Sequence, residues 1–128
     1  MSKTAADLVA EARRNIREIS AAEWSEGRRG GVLIDVREPV EYATGHLGGA
    51  VNIPRGVLEF QVDAHPAVAK VVDPALSHKH QPVTVICRTG GRAALAAVAL
   101  QQLGFADVRS IAGGTTAWID AGLPLVND

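Results

Sequence analysis

Six residues, Cys87-Arg88-Thr89-Gly90-Gly91-Arg92, separate an apolar run, Val83-Thr84-Val85-Ile86, from an alanine-rich stretch over residues 93–103. The run has the length and β-branched character of a strand, and the stretch has the length of a helix. The chain must therefore turn from strand to helix within one short loop, which is the junction an α/β fold is built from. A glycine loop that opens a helix also makes an anion cradle, because its free N–H groups and the helix N-terminus aim at one point. The only cysteine of the chain, Cys87, stands at the mouth of that cradle. A thiol there is placed to be a thiolate and a nucleophile. A cysteine serving as a small core residue belongs inside the strand instead.

The same alternation recurs along the chain. Residues 32–36, 50–53 and 107–110 read as further strands, the second stopped by Pro54. Leu8, Ala12, Ile16 and Ile19 recur at helical spacing and predict a first helix over residues 4–18. Ser20 with Glu23 three residues on is a capping-box pattern, opening a short helix around Trp24. Pro39 starts a short helix through Tyr42, residues 56–62 read as another, and residues 115–121 form the last. Gly104 closes the helix that follows the Cys87 loop. The expectation is an α/β fold with a mainly parallel central sheet flanked by helices on both faces. Ligands in such sheets sit at the strand C-termini, so Asp35 and Cys87 are expected on one edge. Residues 1–30 are expected to be an N-terminal helical extension packed on a domain of residues 31–128, the whole forming one globular unit. The irregular residues 65–82 are expected to be a surface excursion, with a helical turn near residues 67–71, and the excursion as a whole is taken from residue 59 to 82. Lying between the second and third strands, it would wall the pocket and select the acceptor.

Composition narrows the function classes. Fourteen acidic against thirteen basic side chains leave a net charge of −1, without the basic excess of a nucleic-acid binder. The most apolar stretch, residues 93–100, is far short of the ~20 residues that span a bilayer, so no membrane partner is expected. No targeting segment is read in residues 2–19, which makes a cytoplasmic location the expectation. A lone cysteine excludes an intrachain disulfide and a cysteine-cage zinc site. His65, His78 and His80 match no zinc spacing and read as solvated loop residues, so no metal is expected.

Within the loop, Gly90 and Gly91 permit the backbone conformations that let N–H groups converge. Arg88 and Arg92 would attract an anionic substrate; Arg88 can equally face solvent, and Arg92 either points inward or braces the loop. Thr89 offers a hydroxyl to a bound anion or shapes the turn.

Three separated motifs carry a family resemblance. The first is Asp35-Val36-Arg37-Glu38-Pro39, continuing through Glu41-Tyr42 and Gly45-His46-Leu47 to Gly49-Ala50-Val51-Asn52-Ile53-Pro54. The second is the Cys87 loop. The third is Gly113-Gly114-Thr115-Thr116-Ala117-Trp118, ending Gly122-Leu123-Pro124. In that order they resemble a single-domain rhodanese, a sulfurtransferase homology domain. The resemblance implies a sulfurtransferase that moves sulfane sulfur from thiosulfate or a related small anionic donor to a thiophilic acceptor such as cyanide or a thiol. Cys87 would be the nucleophile and would carry the sulfur as a persulfide. Backbone N–H groups from Arg88 to Arg92 would stabilise that anion, and no metal or organic cofactor would be required. Asp35, Arg37 and His46 match the first motif and are expected to support the loop rather than react. The resemblance also admits a protein-persulfide carrier with a protein acceptor, or a non-catalytic binding module. The phosphatases that most resemble rhodaneses place five residues between cysteine and arginine; here there are four, a tighter loop that suits one sulfur atom better than a phosphate.

Overall fold

The computed structural model describes residues 2–27, 31–69 and 78–128. A five-stranded, wholly parallel sheet forms its centre, with strand order β1-β5-β4-β2-β3. The strands are β1 (Arg17–Ile19), β2 (Val32–Asp35), β3 (Val51–Asn52), β4 (Pro82–Ile86) and β5 (Asp107–Ile111). The helices are α1 (Ala5–Asn15), α2 (Ala21–Glu26), α3 (Pro39–Ala43), α4 (Leu58–Gln61), α5 (Pro66–Ala69), α6 (Gly91–Gln102) and α7 (Gly114–Asp120).

Alternate residues of the buried strands feed opposite faces, as a pleated backbone requires. Val32, Ile34, Val83, Val85 and Val108 pack with Leu58 of α4 and with Ala93, Ala96, Ala97 and Leu100 of α6. Leu33, Ile86 and Ile111 pack on the other face with Trp24 of α2 and Trp118 of α7. The alanines of α6 let that helix lie close on the central strand, which is why an alanine-rich segment follows the loop. Trp24, outside the three motifs, is thereby a core residue, buried with Trp118.

Residues 1–30 are not wholly helical, which corrects the expected extension. Thr4 caps α1 through a reciprocal pair of hydrogen bonds with Asp7, and the helix ends at Ile16, whose backbone is extended (φ −119°, ψ 164°). The chain then enters β1, which pairs Arg17 with Arg109 and Ile19 with Ile111. Ile16 and Ile19 continue the helical spacing by coincidence; the edge of β5 captures residues 17–19, and ladder hydrogen bonds outweigh a weak periodic signal. The sheet so gains a fifth strand on its outer edge. The capping box at Ser20 and Glu23 forms as the sequence indicates, with backbone-to-side-chain distances of 3.0 and 3.1 Å. The proposed division between residues 30 and 31 adjoins residues 28–30, outside the described residues.

The expected helix over residues 56–62 is a 3-10 turn over Arg55–Val57 running into α4. Within the excursion, α5 supplies the helical turn, and residues 70–77 lie outside the described residues. His78 hydrogen-bonds Asp63 at 2.9 Å and packs edge-on against Phe105. His65 accepts the N–H of Ala67. His65 therefore serves its own turn, and His78 ties its segment to Asp63 and Phe105. No helix among the described residues is long and apolar enough to cross a membrane.

Candidate active site

The three motifs meet at the C-terminal edge of the sheet. Register pairs Asp35 with Ile86, so the ends of β2 and β4 are neighbours, and the Val36 N–H bonds the Ile86 carbonyl at 2.9 Å. Asp35 and Cys87 thus share the edge, although they are far apart in sequence.

Cys87 directly follows β4 and is only 1% exposed. Its Sγ accepts the Gly90 N–H at 3.0 Å and the Ala93 N–H at 3.4 Å. One donor comes from the loop and the other from the first turn of α6, so the loop wraps the sulfur and the helix start points at it. Gly90 makes this possible: it is the N-cap of α6 with φ +112°, a left-handed conformation that side chains disfavour. Arg88 and Thr89 stand exposed at the loop crest, while Gly90 is buried and Gly91 and Arg92 are partly buried.

The loop is gripped from its β5 side. Thr115 donates its backbone N–H to the Cys87 carbonyl at 2.9 Å, and Thr116 donates to the Arg88 carbonyl at 3.0 Å. The approach is backbone on backbone. A Cβ at Gly114 would lie 2.3 Å from the Cys87 carbonyl oxygen, and Gly114 is itself left-handed at φ +59°. Gly114 of the third motif therefore lets two loops touch, while Gly113, left-handed at φ +74°, keeps a side chain off Ala117 of its own helix.

Arg92 pairs with Glu41 and braces α6 against α3. Its Nη1 and Nη2 donate to the two carboxylate oxygens of Glu41 at 2.6 and 3.0 Å. These hydrogen bonds hold the Glu41 carboxyl down at about 2, against the opposing effect of burial. Glu41 in turn raises the pKa of Arg92, with smaller contributions from Cys87 and Asp35. Glu41 also accepts the Glu38 N–H at 3.0 Å, so one carboxylate caps α3 and anchors α6. Sequence reasoning quoted Glu41 within the first motif and gave it no role. The available signal was a carboxylate three residues after a helix N-cap, with an unpaired arginine at the start of another helix.

Asp35 and Arg37 hold each other. Arg37 donates from Nε to Oδ1 at 3.0 Å and from Nη2 to Oδ2 at 2.8 Å, and its Nη2 also reaches the Gly45 carbonyl at 2.8 Å. Asn52 Nδ2 closes the knot by donating to the carbonyls of Asp35 and Arg37. His46 is buried one element further out. Its backbone bridges to Val126, its Nδ1 lies 3.0 Å from the Tyr42 carbonyl, and its ring stacks on Tyr42 with centroids 3.7 Å apart. Its partners are α3 and the C-terminal tail, and none belongs to the Cys87 loop.

A cleft of about 540 Å³ opens beside the loop, walled by Arg37, Glu41, Arg88, Thr115 and Thr116 with exposed Val40 and Ile119 at its rim. A second cleft, about 380 Å³, lies between α1, α4 and α6 and contains no loop residue. Chemically, the edge offers one sulfur atom under backbone N–H donors, one exposed guanidinium at Arg88, and a frame of ion pairs that keeps the loop in shape.

Known proteins share this organisation. The chain is 38% identical over 96 residues to thiosulfate sulfurtransferase 16, chloroplastic, of Arabidopsis thaliana, covering 71% of this chain and 76% of that protein. It is 30% identical over 118 residues to the thiosulfate sulfurtransferase GlpE of Pseudomonas paraeruginosa, covering 92% and 87%. Among solved structures, a protein of unknown function from Rhodopseudomonas palustris, described as a possible tyrosine phosphatase, superposes with a TM-score of 0.79 at 28% identity. That match covers 98% of this chain and 96% of the other. Residues 17–121 match the sequence pattern of the rhodanese-like domain. With most of its length inside that pattern and its relatives named as sulfurtransferases, the chain belongs to the rhodanese-like domain family.

Proposed function

We propose that this protein is a sulfurtransferase that carries sulfane sulfur as a persulfide on Cys87. The observation that carries the reading is the pair of backbone N–H groups, from Gly90 and Ala93, directed at Sγ. Donors fixed in a cradle before reaction stabilise negative charge without having to reorganise. The Cys87 thiolate attacks the outer sulfur of thiosulfate. A new S–S bond forms, the old one breaks, and sulfite leaves with the bonding pair. Negative charge then sits on the terminal sulfur of the persulfide, where the remaining loop N–H groups from Arg88 to Arg92 receive it. Cyanide or a thiolate attacks that terminal sulfur and returns Cys87 as thiolate. Two half-reactions on one sulfur give ping-pong kinetics. Arg88, exposed at the cleft, draws in the anionic donor, and Asp35, Arg37, His46 and the Glu41–Arg92 pair keep the edge rigid. A single unpaired thiol stays usable where thiols are kept reduced, which suits the cytoplasm.

Phosphatase chemistry fits less well. Only four residues separate Cys87 from Arg92, and the Arg92 guanidinium is already held on both sides by Glu41. The guanidinium is not free to clamp an incoming phosphate.

The test is release of sulfite and thiocyanate from thiosulfate and cyanide, with Cys87→Ser as control. Turnover in the wild type that is lost by at least about 10³-fold in the variant is expected for removal of a covalent nucleophile. A folded wild type that neither turns over nor gains one sulfur atom in mass after thiosulfate treatment would refute the thiosulfate reading. A mass gain only from a protein persulfide would replace the small donor by a carrier role, and no gain from either would leave a binding module.

A further inference from the structure

Helix α1 lies outside the residues that match the family pattern, yet it delivers a side chain to the Cys87 loop. The helix packs along α6, with Gln101 Nε2 donating to the Asn15 carbonyl at 3.2 Å. Val9 Cγ2 lies 3.7 Å from where a Cβ at Gly91 would be. Arg13 is one turn further along the same face. Helical side chains lean back toward the N-terminus of their helix, so its guanidinium is carried toward the loop. Arg13 Nη2 lies 3.0 Å from the position of a Cβ at Gly90, the residue whose N–H bonds Cys87 Sγ at 3.0 Å. With standard backbone dimensions, these distances place Nη2 within about 8.5 Å of Sγ. That upper bound is comparable to the screening length of about 8 Å at physiological ionic strength and shorter than that of about 10 Å at 0.1 M.

The charge of Arg13 is also available. Its carboxylate neighbour is Glu18, at a loose 3.9 Å, and its side chain is 45% exposed. Of the two arginines of the loop, Arg88 stands exposed at its crest and Arg92 is bound at 2.6 and 3.0 Å by Glu41. One of the two loop cations is thus largely neutralised, and besides Arg88 a cation from outside the family core stands over the loop backbone.

The geometry points to Arg13 as a specificity-determining residue that favours oxyanion reagents, sulfur–oxygen dianions such as thiosulfate among them, over neutral ones at Cys87. It rests on the reading of Cys87 as the reactive centre. A guanidinium suits this task because its forked donors match two oxygens of one anion. Gly90 is then doubly required, since a side chain there would occupy the place of the guanidinium.

The test compares alkylation of Cys87 by anionic iodoacetate and neutral iodoacetamide in the full chain, for wild type, Arg13→Gln and Arg13→Lys. In both reactions the thiolate displaces iodide, so the ratio of rate constants reads the preference for charge and cancels changes in thiol reactivity. The ratio is expected to fall about two- to fivefold in Arg13→Gln, the range for an exposed charge, and to be largely kept in Arg13→Lys. Added salt should lower the ratio more in the wild type than in Arg13→Gln, where only the pull of Arg88 is left to screen. An unaltered ratio in Arg13→Gln, an equal fall in Arg13→Lys, or a thiol that neither reagent reaches would each overturn the proposal. In turnover, KM for thiosulfate should rise by the same factor with kcat kept. A wild type inert to thiosulfate but with the expected ratios would refute the donor and leave Arg13 in its role. Normal turnover with unaltered ratios would do the reverse.

Discussion

Two arginine–carboxylate pairs frame the same sheet edge, and they are built on different plans. Asp35 and Arg37 are two residues apart and sealed, with side chains 0% and 6% exposed, and the surrounding carbonyls and Asn52 complete their hydrogen bonding. Glu41 and Arg92 are fifty-one residues apart and half open, with side chains 26% and 37% exposed. The first pair shapes a single loop from within and has almost no contact with water to fall back on. The second joins two helices, and solvent screens whatever is lost when it breaks. Burial, more than hydrogen-bond length, decides what each pair contributes.

The contrast is broken most directly at the sealed pair. Asp35→Ala leaves the Arg37 guanidinium buried without a counter-charge and should cost about 3–5 kcal/mol, measured by urea unfolding. The double variant Asp35→Leu with Arg37→Met should cost much less, because both charges leave together. A single-variant loss below about 1 kcal/mol, the scale of exposed pairs, would erase the distinction. Between the two pairs stands the uncharged contact at Gly114. Gly114→Ala adds a methyl where the Cys87 carbonyl already lies and strains a left-handed residue. It should cost about 2–3 kcal/mol and slow Cys87 alkylation, because the loop must shift to admit it. Stability and alkylation both unchanged would show that the two loops do not bear on each other.

The smallest effect belongs to the open pair. Glu41→Gln should cost about 1–2 kcal/mol, a bidentate pair discounted for its exposure. Its signature is in pH. The Glu41 carboxyl lies near 2 in the folded protein against an ordinary 4.5, so its contribution is fully present above 4.5 and fades as pH falls toward 2. The stability difference between wild type and Glu41→Gln should therefore be flat at neutral pH and shrink across that acidic window. A difference independent of pH would assign the pair no electrostatic part.

How much of this could be read from the chain depends on how locally each feature is encoded. The strand–loop–helix around Cys87, the capping box at Ser20 and the parallel sheet all rest on neighbours in sequence, and they were legible. So was the meeting of Asp35 and Cys87, because a parallel sheet collects its strand ends on one side. Strand β1 was not legible: three residues carry no period, and only the free edge of β5 makes them a strand. The bond between Glu41 and Arg92 was hidden for the same reason, since partners on separate helices are matched by the fold and not by spacing. The tightness required at Gly114 became visible only when Cys87 lay against it. Arg13 reads as one more charge on an amphipathic helix until α6 is placed beside it.

Strand β1 also sets an order of events. Its partner β5 ends at Ile111, so the first strand of the chain pairs with the last. A polypeptide leaving the ribosome N-terminus first must hold residues 17–19 idle until residues 107–111 have emerged. Contacts so distant along the chain delay folding, and strand edges left open in the interval invite wrong partners. The capping boxes at Thr4 and Ser20, on either side of β1, need no distant partner. They bias residues 5–15 and 21–26 toward helix from local sequence alone, although helices so short hold only once the sheet is there to pack on.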